Sequence, residues 1–309
     1  MINDINCLND KTTEKINTED ARSFMEINSE TFIPDRFEIP RRNAKYVIET
    51  SVGPFDRPEI VLKAQQIQGR CYVEYGYVKE DALTDDGRLV SELDSARDDD
   101  GKTVVNYLVA REIGKTIDEA GATMRVIDAG EQGTVEDLPA YKYFKDAFSP
   151  EVKMKLENII DLYGPRSIRE LAALGVTNQR NVFGSYELMR AVMQNSLIKE
   201  ASSGYREKYL AALTELSLAP VIRFAGKGAI EILGEPVRVH ADDPRQKEVY
   251  ITPVLIDPNK ALEGFIDEIE SAEKNADIVS LVQKINFLTD GLSREQFSRR
   301  VALFLDKIA

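Results

Sequence analysis

Apolar residues recur along this chain in two rhythms, and the switches between them set out its elements. The segments YVIET (46–50), TVVNYLVARE (103–112) and ATMRVID (122–128) are rich in β-branched and apolar residues, the composition of buried strands. Gly114 and Gly121 flank the linker between the last two, so these are expected to pair antiparallel. From about residue 57 the period lengthens. Ile60, Ala64, Ile67 and Cys71 fall at i, i+4, i+7 and i+11, one buried face of a helix, with Asp56 as expected cap, Pro58 in the first turn and Glu59 as reciprocal partner. Ser149 is expected to cap a second helix with Pro150 at its first position and a stripe of Val152, Leu156, Ile159 and Tyr163. A third covers 185–203, where Met189, Val192, Met193, Ser196 and Leu197 share a face and Gly204 stands at the stop.

Further on, 208–214, 229–233 and 249–257 read as strands, and 217–225 as a short helix with Pro220 in its first turn and Gly226 at its end. Beyond Pro258 the chain turns helical and charged. Ser293 and Gln296 are expected to cap a last helix lined by Phe297, Val301, Phe304, Leu305 and Ile308. One segment, RSIRELAALGV (166–176), reads both ways: Ser167 and Glu170 are spaced as a helical capping box, yet the run suits a buried central strand equally. Residues 1–43 show no sustained period and read as a polar tail.

Composition narrows the function more than the fold. With 309 residues and 43% apolar content, the chain is expected to fold as an ordinary globular protein. A formal charge of −13 argues against a general nucleic-acid or anionic-membrane binder. Cys7 and Cys71 form no C-x-x-C pair, so neither a disulfide framework nor a zinc ribbon is expected. No run of about 18 apolar residues occurs, and the N-terminus lacks a signal pattern, which makes the cytoplasm the simplest location. His240 is the single histidine, which rules out a multi-histidine metal site within one chain; it reads as an exposed strand residue. The Asp run at 98–100 reads as a solvated loop, because no calcium-ligand spacing precedes Gly101.

The order of elements from 44 to 257 resembles the GNAT fold, and more narrowly the acyl-homoserine-lactone synthases and N-acyl amino acid synthases. IQGRCYVEYGYV (67–78) is similar to that family's first helix, with Gln68 at an arginine position and Tyr72 at an aromatic one. ELD (92–94), with Asp94, resembles the acidic segment before the second strand, and Arg125 matches an arginine on the third. IRELAALGV (168–176) resembles the fourth strand, "E-x-x-R-x-x-V": Glu170 and Val176 fit, while Ala173 replaces the arginine. The resemblance implies an α/β (α+β) fold with a mixed, mostly antiparallel sheet, in which 168–176 is a strand that parts from the fifth. It assigns 44–257 to an acyltransferase domain and leaves 258–309 as a helical extension.

The chemistry implied is acyl transfer from a thioester to an amine, which needs a proton acceptor and a stabilised carbonyl oxygen. Glu170 is the candidate base, since a carboxylate on a central strand can be desolvated; the structural alternative is an ion pair. Arg125 would orient the acceptor or pair with Glu170 or Asp94, and Tyr72, Gln68 and Asp94 are candidate substrate contacts by resemblance. TNQRNVFGS (177–185) is a stretched form of the superfamily's "(Q/R)-x-x-G-x-(G/A)" loop. It makes Gln179, Arg180, Gly184 and Ser185 candidates for a phosphate-bearing donor, against the reading of an ordinary loop before a helix. No tightly bound cofactor is expected; acyl-coenzyme A or acyl-phosphopantetheine would be a co-substrate. Nine basic residues against five Glu between 163 and 228 give a local charge of +4, suited to an acidic acyl carrier protein or a phosphorylated donor. The family arginines are lost at Gln68 and Ala173, which leaves a non-catalytic scaffold that binds an acyl ligand or a partner protein as the alternative. The C-terminal helices are candidates for oligomerisation or for covering the cleft.

Overall fold

Strands Tyr46–Val52 (β1), Thr103–Glu112 (β2), Ala122–Ala129 (β3), Ile168–Val176 (β4), Lys208–Thr214 (β5), Ile230–Ile232 (β6), Val237–Val239 (β7) and Val249–Ile256 (β8) join in one sheet. Its order is β1-β2-β3-β4-β5-β8-β6, with β7 also paired to β8. Every pairing is antiparallel except β4 with β5. The computed structural model describes residues 45–91, 103–129, 133–164, 166–177, 182–204, 206–214, 221, 225–239, 249–271, 278–292, 294–297 and 299–308. The polar tail, Cys7, Asp94, the 98–100 run, Gln179, Arg180, His240, Ser293 and most of the 217–225 helix lie outside them.

Seven helices complete the described fold: Pro58–Glu74 (α1), Pro139–Phe144 (α2), Pro150–Tyr163 (α3), Val182–Ser203 (α4), Pro258–Glu270 (α5), Ile278–Thr289 (α6) and Arg299–Ile308 (α7). The two sheet faces are covered by different sets, because strand side chains alternate. Tyr107, Val109, Ile127, Ile168 and Leu210 meet α1, α2 and α3 in one core. Leu108, Met124, Val126, Leu171 and Tyr209 meet α4 in a second. The far side of α4 then carries a third: Met193 and Leu197 pack with Leu262, Phe265 and Ile285 of α5 and α6 and with Phe304 of α7.

The expected stripes on α1, α3 and α4 are buried or packed inward, and Ser149 Oγ accepts the Val152 N–H at 3.3 Å as a cap should. The doubtful segment is a strand. Ser167 and Glu170 bond elsewhere instead of forming a capping box: Ser167 Oγ turns back to the Gly164 carbonyl at 2.7 Å, and Glu170 reaches the Ala140 N–H. Two local readings are corrected, and one element is new. Asp56 does not cap α1; Arg57 holds that position, and Asp56 instead accepts the Val52 N–H at 3.2 Å, closing the turn after β1. The last helix begins later than expected, at Arg299, because Arg294–Gln296 forms a separate 3₁₀ turn. Helix α2 was not expected at all.

The parallel pair is the fold's distinctive feature. The β4–β5 register runs from Ile168–Lys208 to Leu171–Ala211 and stops there, although β4 continues to Val176 and β5 to Thr214. On its other edge β4 stays paired to β3, but Arg125 stands opposite Ala172 and Thr123 opposite Gly175. Ala173 and Leu174 together therefore face Met124, a bulge of two residues against one. Ala173 carries it with φ of +53°, a left-handed conformation uncommon for any residue but glycine. A mostly antiparallel sheet whose parallel fourth and fifth strands part beside a bulge is a GNAT-like fold.

Candidate active site

Glu170 sits one residue before the parting, with its side chain on the α1–α2 face and only 6% exposed. Its Oε2 accepts the backbone N–H of Ala140 at 2.7 Å, delivered by the first turn of α2. Burial raises its pKa to about 7; the Ala140 bond and the Arg125 charge pull the other way and only partly offset it. A carboxylate in that range can take a proton near neutrality and give it back.

Arg125 reaches the same face from β3. Its Nη2 donates to Gln68 Oε1, its Nη1 donates to Ser91 Oγ at 3.2 Å, and the guanidinium lies 5.5 Å from the centre of the Tyr107 ring. It stands close enough to Glu170 to lower that pKa. Tyr72 lies one turn along α1 from Gln68. Burial raises its phenol pKa, while Arg125 and a hydrogen bond with Gln68 lower it. The Tyr72 ring meets Tyr77 edge-on, with centroids 5.5 Å apart, and Tyr77 stacks with the half-exposed Tyr75. Four of the sequence candidates, Glu170, Arg125, Gln68 and Tyr72, are thus brought together beside the parting strands.

Gly184 and Ser185 are placed elsewhere, in the first turn of α4 on the other face. A Cβ on Gly184 would lie 3.1 Å from Ala122 Cβ, so that glycine lets α4 approach the sheet. Ser185 Oγ donates to the Val182 carbonyl at 2.7 Å.

Sequence reasoning missed Ala140, Ser91, Tyr107 and Gly69. Gly69 is required by closeness: a Cβ there would be 2.7 Å from the Gly87 carbonyl oxygen and 3.1 Å from the Leu89 nitrogen. The loop carrying Ser91 therefore lies directly on α1. A signal for α2 was present in T-V-E-D-L-P, where Thr134 and Asp137 cap a 3₁₀ turn that feeds Pro139. Cys71 donates its thiol to the Val176 carbonyl at 3.0 Å, and burial pushes its pKa up, which does not suit a nucleophile.

Part of the local basic excess is taken up by ion pairs. Arg169, Arg190, Lys199, Arg206 and Lys208 all pair with Asp or Glu, and Arg169 and Arg190 are buried. Among the described residues, no group of three His, Cys, Asp or Glu could hold a metal ion, and no helix is long and apolar enough to cross a membrane.

Fold and site together describe a GNAT-like sheet with a buried carboxyl beside its parting strands. No protein-family model matches the chain, and no curated protein matches it. Among solved structures it is similar to the acyl-homoserine-lactone synthase LasI, at 11% identity and a TM-score of 0.45 over 71% of this chain and 93% of that one. It is similar to FeeM, an N-acyl amino acid synthase from uncultured soil microbes, at 10% identity and 0.41 over 70% and 94%. A GNAT-family acetyltransferase from Streptococcus pneumoniae matches at 13% identity and 0.32 over 69% and 99%.

Proposed function

We propose that this protein is an N-acyltransferase that moves an acyl group from a thioester, on an acyl carrier protein or coenzyme A, to the amine of a small metabolite. The observation that carries the reading is the parting of β4 from β5 beyond Leu171–Ala211, directly beside a buried carboxyl titrating near neutrality. A thioester laid in that opening would have backbone N–H groups of the bulged strand available to its carbonyl oxygen. Glu170 would take a proton from the acceptor ammonium. The freed amine nitrogen attacks the thioester carbon, the C–S bond breaks, and the thiolate leaves with a proton. Arg125, kept in place by Gln68 and Ser91, supplies positive charge for an anionic part of the acceptor.

Purified protein incubated with acyl-coenzyme A or acyl-phosphopantetheine donors and an amine panel should release free thiol. Glu170→Gln should abolish the release without abolishing donor binding. Absence of both thiol release and thioester binding would overturn the proposal. The non-catalytic scaffold is favoured by one observation, that Gln68 and Ala173 stand where arginines are expected. It predicts binding without turnover in the unmodified protein.

A further inference from the structure

Behind Glu170, on the opposite face of β4, lies a set of buried charges that the acyl-transfer reading leaves unused. Arg169 is adjacent to Glu170 in β4, so its side chain points the other way, towards α4. Its Nε lies 2.9 Å from Asp128 Oδ1 on β3 and 3.4 Å from Glu207 Oε1, at the residue that leads into β5. Lys199 of α4 also pairs with Glu207. The Tyr209 hydroxyl donates to Glu207 Oε2 at 3.0 Å, and Asn106 Nδ2 donates to Asp128 Oδ2 at 3.0 Å. Arg169, Asp128 and Glu207 are all buried. The dryness shows in the chemistry: burial raises the Asp128 carboxyl and brings the Lys199 ammonium down to about 7.

Such a cluster is expensive to bury and gains little over apolar packing, so stability alone does not account for its place. Its position does. Arg169 bridges the strands on both sides of β4 within the short stretch where β4 and β5 are paired. The last pair, Leu171 with Ala211, lies two residues further on, and beyond it the strands part. We propose that Arg169, held between Asp128 and Glu207, is the positioning residue of the opening: it locks the closed end of the β4–β5 pair and so fixes where the strands separate and where Glu170 stands. The use of that opening for a thioester rests on the proposed function; the locking itself does not.

The test is amide hydrogen exchange on the full chain, comparing Arg169→Met and Arg169→Lys with the unmodified protein. In Arg169→Met, exchange in 168–171 and 208–211 should accelerate on the order of a hundredfold, as expected when a buried pair loses one partner. Exchange in 46–52 and 105–110 should be unchanged. Arg169→Lys should recover most of the protection. Unchanged exchange at the closed end, or acceleration spread evenly into β1 and β2, overturns the proposal. Should Arg169→Met fail to fold, Lys199→Met keeps the apolar stem, removes one of the two cations beside Glu207, and should accelerate the same two segments about tenfold; no change there also overturns it. In parallel, the pH midpoint of thiol release should move in Arg169→Met, because Glu170 shifts, and return towards that of the unmodified protein in Arg169→Lys. If the unmodified protein releases no thiol, the acyl-transfer reading fails while the exchange result still decides the locking.

Discussion

The carboxylate of Glu170 on β4 rests on the backbone N–H of Ala140, 30 residues earlier in the chain, at 2.7 Å. That one bond ties the central strand to α2, and it does not keep the carboxyl acidic: burial holds the pKa at about 7. Between an unfolded value near 4.5 and 7, the folded state binds the extra proton. Stability from this group is therefore greatest at low pH and falls as pH rises through 7. Glu170→Gln should flatten that slope and leave the variant more stable than the parent at pH 8 by about 3 kcal/mol. Denaturant melts at pH 5 and pH 8 check the sign.

The same titration should govern activity. Only the ionised form accepts a proton, so kcat/KM for thiol release should climb with pH to a plateau above about 7. A profile flat between pH 5 and 8 would remove Glu170 from the base role. Arg125→Met removes a charge that favours ionisation, so the midpoint should move upward.

Ala173 holds the bulge in a left-handed conformation. Ala173→Gly should relieve that strain and raise stability by about 1 kcal/mol. Ala173→Val should lower it. Thermal melts of the two variants, shifted in opposite directions, would establish that the bulge is strained.

Gly69→Ala should displace the loop of Gly87 and Leu89, since a Cβ cannot sit 2.7 Å from a carbonyl oxygen. A loss on the order of 2 kcal/mol is expected. Because Ser91 follows that loop and bonds Arg125, acceptor KM should rise more than donor KM.

Truncation before Pro258 should strip the far side of α4 and expose Met193 and Leu197. The expected result is a lower melting temperature and aggregation by light scattering. A well-behaved truncated monomer would show that this third core is dispensable.

Most of the sheet was legible because its strands are plain apolar runs. The limits came where tertiary contacts override local signals. Ser167 and Glu170 have helical spacing, yet one turns back to Gly164 and the other reaches α2, so the segment could be assigned only by resemblance. Helix α2 has six residues, too few to show a period. Arg125, Gln68 and Tyr72 were found as a group, but Ser91 and Ala140 contribute through loop packing and a backbone N–H, which leave no mark in side-chain type. The positive stretch at 163–228 shows a related limit: charge counted along a chain does not reveal that Arg169 and Arg190 are buried with acidic partners.

Helix α4 is gripped on both flanks, by the sheet on one side and by α5, α6 and α7 on the other. It is the keel of the molecule. Substrates of differing bulk would have to be accommodated by yielding on the α1–α2 side, where a six-residue helix and a loop form the wall. On the proposed function, adaptation to acyl groups of different size is expected on that thinner side, while the doubly packed α4 gives the sheet its firm back.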